Sequence, residues 1–399
     1  GCNEEGCNEE GCNEEGCNEE GCNQEDDTCC KEGGNRKEGG NREEVSTKTN
    51  DLSKFHDKGR QRMTRVAVMG GGSFGTAMGM IATDAGGEVV IWAREPEVAE
   101  SVNTRHVNEM YHPGLALPPE LSVTNDPAEA LRGAEVIILA IPAQTLRENL
   151  TNWKDLIEPS AILVTLMKGI EATTTKRMTE VIAEVAEVPA ERVAAISGPN
   201  LAREIIQRQP AATTVACVDV ENAKLVAGAI QNAYFRPYWT EDGVGTEVGG
   251  AVKNVIALAN GMAFGLGYGE NAQASLITRG LAEMSRLGAA LGANPMTFLG
   301  LAGIGDLIAT CTSSLSRNRT FGENLGRGLT VEETIEATKQ TCEGVKSCAA
   351  ILELGKAHGV EMPITEQVVQ VVHHGMAPRE MLGNLMSRDA RAEQGSSAQ

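Results

Sequence analysis

Apolar residues are sparse before Arg65; beyond it, short apolar runs alternate with stretches whose apolar residues recur every three or four positions. RVAVMG reads as a strand, and GGGSFGTAMGMIATDAG as a glycine turn opening into a helix. GEVVIWAR and SVTND continue the strand series, with EPEVAESVNTRH as a helix between them. EVIILAIPA, AILVTLMKG, RVAAISGP and ATTVACV are further strand candidates, while AQTLRENLTNW, TTKRMTEVIAEVAE and ENAKLVAGAIQNA carry helical periodicity. Strands that alternate with helices predict an α/β fold whose parallel, doubly wound sheet is covered on both faces. After YFRPYWTEDGVGTE the strand signals stop near residue 243. The rest of the chain reads as helical, from LITRGLAEMSRLGAALG through VEETIEATKQ, KSCAAILELGKAHG and ITEQVVQVVHHG to PREMLGNLMSRDARAE. The expected organisation is a tail over 1–60, a sheet domain over 64–243 and an all-α domain over 244–393.

One stretch of the helical half breaks its own pattern. Most of Glu247 to Ser275 reads as a helix lined with Val, Ala, Ile, Leu and Met, yet Lys253 and Asn254 interrupt the apolar run. Lysine is almost never fully buried unless it is paired or has chemistry to do. Burial strips solvation from an ammonium group and turns a lysine amine into a usable base near neutral pH. The bland reading is a lysine snorkelling from a core helix. Gly249, Gly250 and Gly261 each cost a helix roughly 1 kcal/mol against Ala, so something is expected to approach that backbone closely.

Composition narrows the remaining classes. Hydrophobic residues make up 41% of the 399 positions and aromatic ones only 3%, which predicts a sizeable but aliphatic core. A net charge of -20 argues against nucleic acid and anionic membrane surfaces as partners. No run of about 18 apolar residues and no secretory signal is present, so a soluble, cytoplasmic protein is expected. The chain does not open on Met, so its natural start and organelle import stay open. GCNEE occurs four times at the N-terminus, followed by GCNQE and two copies of KEGGNR. A five-residue period lines up on neither a helix nor a strand face, and the expected state of this tail is disordered. Seven of the eleven cysteines lie there; the other four, Cys217, Cys311, Cys342 and Cys348, have no ligand spacing and fit core thiols in a reduced compartment. The six histidines form no zinc-binding motif, and no catalytic metal is expected.

The clearest chemistry lies at the first strand end. Gly70, Gly72 and Gly75 form G-x-G-x-x-G between RVAVM and TAMGMIA, the arrangement in which a tight turn brings backbone and a helix N-terminus to a dinucleotide pyrophosphate. The sheet domain is therefore expected to be Rossmann-type. At the end of the second strand, where an acidic residue suits NAD, the chain has Arg94 followed by Glu95. Arg94 pairs with a 2′-phosphate in one reading, and stacks on the adenine or faces solvent in the other. NAD and NADP both stay open.

From about Met63 to Glu393 the chain resembles the bacterial form of NAD(P)-dependent glycerol-3-phosphate dehydrogenase. The resemblance rests on GGGSFGTAMG, YHPGLALP, LMKGIE, SGPNLAREI, EVGGAVKNVIALANGMAFGLGYGENAQASLITRG, GLAGIGDLIATCTSSLSRNRTFG, CEGVKS and PITEQV, in family order. It implies hydride exchange between NAD(P)H and dihydroxyacetone phosphate, or its reduced partner sn-glycerol 3-phosphate. Lys253 is implied as general acid/base, with Lys168 and Asp306 beside it. Asp306 orients the lysine or the substrate in that reading, and caps a helix in the alternative one. Substrate contacts are implied at Lys168, Gly198, Asn200, Lys253, Asp306, Ser316, Arg317 and Asn318, with Arg319 as a structural neighbour. Cofactor contacts are implied at Gly70, Gly72, Ser73, Phe74, Gly75, Arg94, Lys168, Ala202, Arg317, Thr341 and Glu343. Gly71 stands where Ala is usual in the family and Phe74 where Trp is frequent; the tail has no counterpart. Family members are commonly homodimers. The competing readings are a related two-domain dehydrogenase acting on a hydroxy acid or acyl-CoA, and a nucleotide-binding regulator without turnover.

Overall fold

The apolar runs form one eight-stranded sheet. Its strands are β1 (Arg65–Met69), β2 (Glu88–Trp92), β3 (Ser122–Thr124), β4 (Val136–Leu139), β5 (Ile162–Thr165), β6 (Val193–Ser197), β7 (Ala211–Ala216) and β8 (Phe235–Thr240). The computed structural model describes residues 63–338 and 342–389, so the tail expected to be disordered lies outside the described residues. Strand order is β3-β2-β1-β4-β5-β6-β7-β8. Residues 66 and 68 of β1 and 136 and 138 of β4 enter one apolar cluster, while 67, 69, 137 and 139 enter another. That alternation means both faces of the sheet are covered, as the continuous apolar runs require. The covering helices are α1 (Ser73–Asp84), α2 (Pro96–Arg105), α3 (Pro127–Leu131), α4 (Leu146–Trp153), α5 (Met178–Ala186), α6 (Ala202–Ile206) and α7 (Val220–Ile230). The order reverses at β1, and the glycine turn sits at that switch point.

The sheet is not wholly parallel. β1 to β6 are parallel where they pair, but β7 runs antiparallel to β6 and β8 parallel to β7. The only regular element between β6 and β7 is the five-residue α6, which rises about 7.5 Å, whereas β6 spans about 16 Å. The chain does not cross back to the start of β6 over this short helix, and β7 sets out from the end that β6 reached. The eleven-residue α7 spans about 16 Å and restores a crossover before β8. β8, in FRPYWT, is not among the expected strands, because Pro237 interrupts its run. Ala211 and Cys217 donate to the carbonyls of Tyr234 and Thr240, so the even-numbered residues of β8 turn towards β7. Pro237 falls on the outward side of this edge strand, where no N–H is needed.

Beyond β8 the chain is helical: α8 (Gly243–Gly265), α9 (Glu270–Ala290), α10 (Asp306–Thr312), α11 (Arg317–Gly326), α12 (Val331–Thr338), α13 (Glu343–Ala357), α14 (Pro363–His374) and α15 (Pro378–Met386). The stretch Glu247 to Ser275 divides at 266–269 into the end of α8 and the start of α9. Every residue of α8 from Gly245 to Ala263 is buried, because neighbours close on all its sides. The glycines permit this. A Cβ at Gly261 would lie 2.1 Å from the Arg319 carbonyl oxygen on α11, and one at Gly249 would lie 2.4 Å from that of Ala302. Two buried carboxylates fasten the helices further. Glu247 accepts from Thr179 N at 2.8 Å and from Arg177 Nη1 at 2.7 Å, tying α8 to the start of α5. Glu283 of α9 accepts from Ile364 N at 2.8 Å and Thr365 N at 2.9 Å, satisfying the open donors at the start of α14.

Gly261→Ala is expected to destabilise the chain by about 3 kcal/mol or more in urea unfolding, since its Cβ meets backbone that cannot move aside. Gly228→Ala, on an exposed turn of α7 where a Cβ meets nothing within 4 Å, is expected to gain roughly 0.5–1 kcal/mol. Equal effects at the two sites would contradict the close α8–α11 approach.

Candidate active site

Two features converge at the carboxyl ends of the strands. The first is the turn from β1 into α1. Gly70 adopts φ +137°, and a Cβ there would sit 2.4 Å from the Ala140 carbonyl oxygen. A Cβ at Gly75 would sit 1.9 Å from the carbonyl oxygen of Gly70, so only glycine lets helix and strand meet this closely. At Gly72 a Cβ would meet nothing within 4 Å. This middle glycine is the N-cap of α1, and among the described residues no side chain caps the helix and no acid lies in its first turn. An open helix N-terminus of this kind suits a pyrophosphate. Gly71 is explained by its neighbour: a Cβ there would lie 2.6 Å from that of Ala93. Phe74 packs on the sheet's apolar cluster. Arg94, at the end of β2, is 82% exposed and pairs with Glu95 at 2.6 Å.

The second feature is a buried ion cluster. Lys168 follows β5, Lys253 lies in the middle of α8, and Asp306 opens α10 after the π-type turn Leu301–Gly305. Asp306 Oδ2 receives Lys168 Nζ at 2.6 Å, and its Oδ1 receives Lys253 Nζ at 2.7 Å. Thr310, one turn further along α10, donates to Oδ1 at 3.2 Å and accepts from Lys253 Nζ at 2.6 Å. Ser197 Oγ completes the shell at 3.5 Å from Oδ2. Asp306 does not cap the helix; Gly305 holds that position. Burial alone would raise the Asp306 carboxyl, but the charges of Lys168 and Lys253 outweigh it and hold the group below the ordinary range. Burial pushes the Lys168 amine down to about 8, with Lys253 acting in the same direction and Asp306 against it. Two ammonium groups facing one carboxylate leave the cluster with an excess of positive charge.

The remaining residues surround this cluster at different distances. Gly198, at φ +153°, offers its carbonyl to Lys168 Nζ at 2.9 Å. Asn200 donates to Thr213 Oγ1 at 2.7 Å, and its buried Oδ1 has no partner among the described residues. Ala202 begins α6. Asn254 donates to the Lys168 carbonyl at 3.0 Å and accepts from Asn318 Nδ2 at 2.9 Å. Asn318 Oδ1 is engaged by Gly344 N at 2.9 Å and by the Cys342 thiol at 2.6 Å, so this amide is largely committed to holding α8, α11 and α13 together. Ser316 caps α11 through Arg319 N at 3.2 Å. Arg317 is exposed and lines a cavity of about 390 Å³ with Thr320, Asn324, Thr338 and Cys342. Arg319 is buried over the Phe264 ring at 4.3 Å. Glu343 is pushed up by burial, and its Oε2 has no partner among the described residues. Thr341 lies outside the described residues. Thr310 and Ser197 escaped the sequence reading, although Thr310 falls four residues after Asp306, on the same helix face. Among the described residues no three His, Cys, Asp or Glu side chains gather as a metal group, and no helix is long and apolar enough to cross a membrane.

A dinucleotide-type turn on a doubly wound sheet, with one buried amine after β5 and a second on α8, defines a dinucleotide-dependent dehydrogenase. The N-terminal family of NAD-dependent glycerol-3-phosphate dehydrogenase matches residues 65–223 and its C-terminal family residues 242–383. Glycerol-3-phosphate dehydrogenase (NAD(P)+) of Streptomyces griseus is 58% identical over 329 residues, covering 82% of this chain and 98% of that one. The same enzyme of Thermobifida fusca is 58% identical over 332 residues, covering 83% and 99%. The crystal structure of glycerol-3-phosphate dehydrogenase from Coxiella burnetii superposes with a TM-score of 0.77 at 35% identity, covering 82% of this chain and 99% of that one. The chain belongs to the NAD(P)-dependent glycerol-3-phosphate dehydrogenase family and is an oxidoreductase.

Asp306→Asn is expected to cost about 3–5 kcal/mol at neutral pH, because it leaves two ammonium groups buried without their counter-charge. The deficit should shrink as pH is raised, since an amine without its partner sheds its proton more readily. A deficit that stays constant from about pH 7 to 10 in denaturant titrations would contradict this reading of the cluster.

Proposed function

We propose that this chain interconverts dihydroxyacetone phosphate and sn-glycerol 3-phosphate, with Lys253 as the general acid/base. The carrying observation is the buried Lys168–Asp306–Lys253 cluster, whose excess positive charge suits an anionic substrate and whose amines can exchange a proton. A bound nicotinamide dinucleotide supplies or takes up the hydride. In the oxidising direction the Lys253 amine takes the hydroxyl proton of the secondary alcohol, and in reduction its ammonium group returns a proton to the carbonyl oxygen. Asp306 holds Lys253 in place and stabilises its charged form. Lys168 directs its charge at the substrate oxygen. Arg317, exposed beside the cavity, grips the phosphate with two parallel hydrogen bonds; Ser316 and Asn318 support it chiefly by fixing α11. Gly198 and Asn200 face the substrate, and the free acceptor on Asn200 suits a hydroxyl.

For the cofactor, Gly70, Gly72, Ser73, Phe74 and Gly75 form the pyrophosphate turn, and Lys168, Ala202, Arg317 and Glu343 line the nicotinamide side. Arg94 extends towards a 2′-phosphate, but Glu95 neutralises much of its charge, which supports use of both NAD and NADP. No metal enters this scheme. The sheet and helical domains meet at residue 243, and the active species is a homodimer in the cytoplasm.

Three measurements test the reading. Purified chain should oxidise NADH and NADPH with dihydroxyacetone phosphate; an Arg94→Ala variant should lose efficiency with NADPH more than with NADH, and equal losses would remove Arg94 from 2′-phosphate binding. Lys253→Ala should reduce kcat by about 10²–10⁴-fold while NADH binds nearly as before; parallel loss of both would count against a base. Burial sets the Lys168 amine at about 8, so the positive charge it offers an anionic substrate should be lost as pH climbs through about 8, and KM for dihydroxyacetone phosphate should rise over that range. A KM that stays flat from about pH 7 to 9 would contradict a charged Lys168 in substrate binding.

A further inference from the structure

Between α2 and β3 lie two buried polar side chains that the chemistry above does not use. Asn108 is 0% exposed, and its Nδ2 donates to the Gly71 carbonyl at 3.1 Å and to Thr76 Oγ1 at 2.8 Å. Thr76 Oγ1 donates to the same carbonyl at 3.2 Å. His112 is 3% exposed, with Nε2 at 2.8 Å from the Ser73 carbonyl oxygen and 3.2 Å from Ser73 Oγ. A carbonyl oxygen only accepts, so Nε2 carries the proton. The two side chains form one rigid unit. His112 N donates to the Asn108 carbonyl at 2.8 Å, Tyr111 N to Asn108 Oδ1 at 3.3 Å, and Leu117 N closes the loop on the His106 carbonyl at 2.8 Å.

What this unit holds is the back of the glycine turn. In a planar trans peptide the N–H points opposite to the carbonyl of the preceding residue. Drawing the Gly71 carbonyl onto Asn108 therefore turns the Gly72 N–H to the other side, and bonding the Ser73 carbonyl to His112 fixes the Phe74 N–H in the same way. Those N–H groups belong to the open N-terminus of α1. We propose that Asn108 and His112 are positioning residues for the dinucleotide: they engage the acceptor side of the turn so that its donor side is set for a pyrophosphate in advance. Neither residue touches the cofactor. The inference rests on the reading of Gly70 to Gly75 as the pyrophosphate turn. Donors fixed beforehand spare the ordering cost that a loose turn incurs on binding, so the effect should fall on cofactor affinity and leave the proton chemistry alone.

The test uses the full chain, with NADH binding followed by equilibrium dialysis and turnover followed at saturating NADH. His112→Leu removes the donor at similar bulk, His112→Gln keeps an N–H that can reach a carbonyl, and Asn108→Ser probes the other arm. For His112→Leu the dissociation constant for NADH should weaken roughly tenfold, the scale of one net hydrogen bond. Its kcat and its KM for dihydroxyacetone phosphate should stay within about twofold of the parent, and His112→Gln should regain most of the affinity. The inference is overturned if His112→Leu binds NADH as tightly as the parent. It is equally overturned if kcat and the melting temperature fall while both KM values rise together, which is the mark of a purely structural residue. Should the parent chain itself bind no dinucleotide, the pyrophosphate reading falls and takes this inference with it; normal parent binding with an unaffected His112→Leu removes the inference alone.

Discussion

One carboxylate shared between two buried amines is the constraint on which the rest depends. Asp306 accepts from Lys168 and Thr310 as well as Lys253, with Ser197 at the limit of hydrogen bonding. Apart from Thr310 on its own helix, its partners come from the ends of β5 and β6 and from the middle of α8. A buried ammonium without a counter-charge is costly, and breaking such a pair leaves that cost uncompensated. The sheet and the helical half therefore fit together only in the arrangement that brings these groups into contact. The same arrangement leaves positive charge in excess at the carboxyl ends of the strands, the edge of the sheet on which the glycine turn also lies.

Backbone proximity makes that arrangement possible. α8 carries Lys253 inward only because its glycines admit neighbouring backbone: Gly249 meets Ala302, Gly250 faces Ser197 and Lys168, and Gly261 meets α11. Small residues at these contacts account for a core with few aromatics and many Ala, Gly and Val. The glycine turn obeys the same logic at Gly70 and Gly75, where a Cβ would strike backbone oxygen atoms. At Gly72 the requirement is different, since the space there is open.

Much of this was legible in the chain. Alternating apolar runs and helical periods predicted a doubly wound sheet followed by a helical half, and the motif order identified the family. Lys253 stood out because it interrupts an apolar helix, and it is indeed buried and paired. The misses have local causes. The reversal at β7 is a matter of strand direction, and an apolar run reads the same whichever way its strand points. β8 was masked by Pro237, tolerable only because that strand lies at an edge. Asn318, expected beside Arg317 as a substrate contact, also bonds Asn254, Gly344 and the Cys342 thiol, a packing role its position in the motif does not report. Ser197 was hidden because its partner Asp306 lies 109 residues away. Thr310 could have been found from its spacing to Asp306 alone.

The central claim is that a buried amine at position 253 moves the proton. The most direct measurement is chemical rescue of Lys253→Ala, saturated with NADH and dihydroxyacetone phosphate, by small primary amines of graded basicity. The account predicts that turnover lost with the side chain returns in part as amine is added, with rates that follow the acidity of its ammonium form, the species that donates the proton in reduction. Substantial turnover by Lys253→Ala before any amine is added would contradict it.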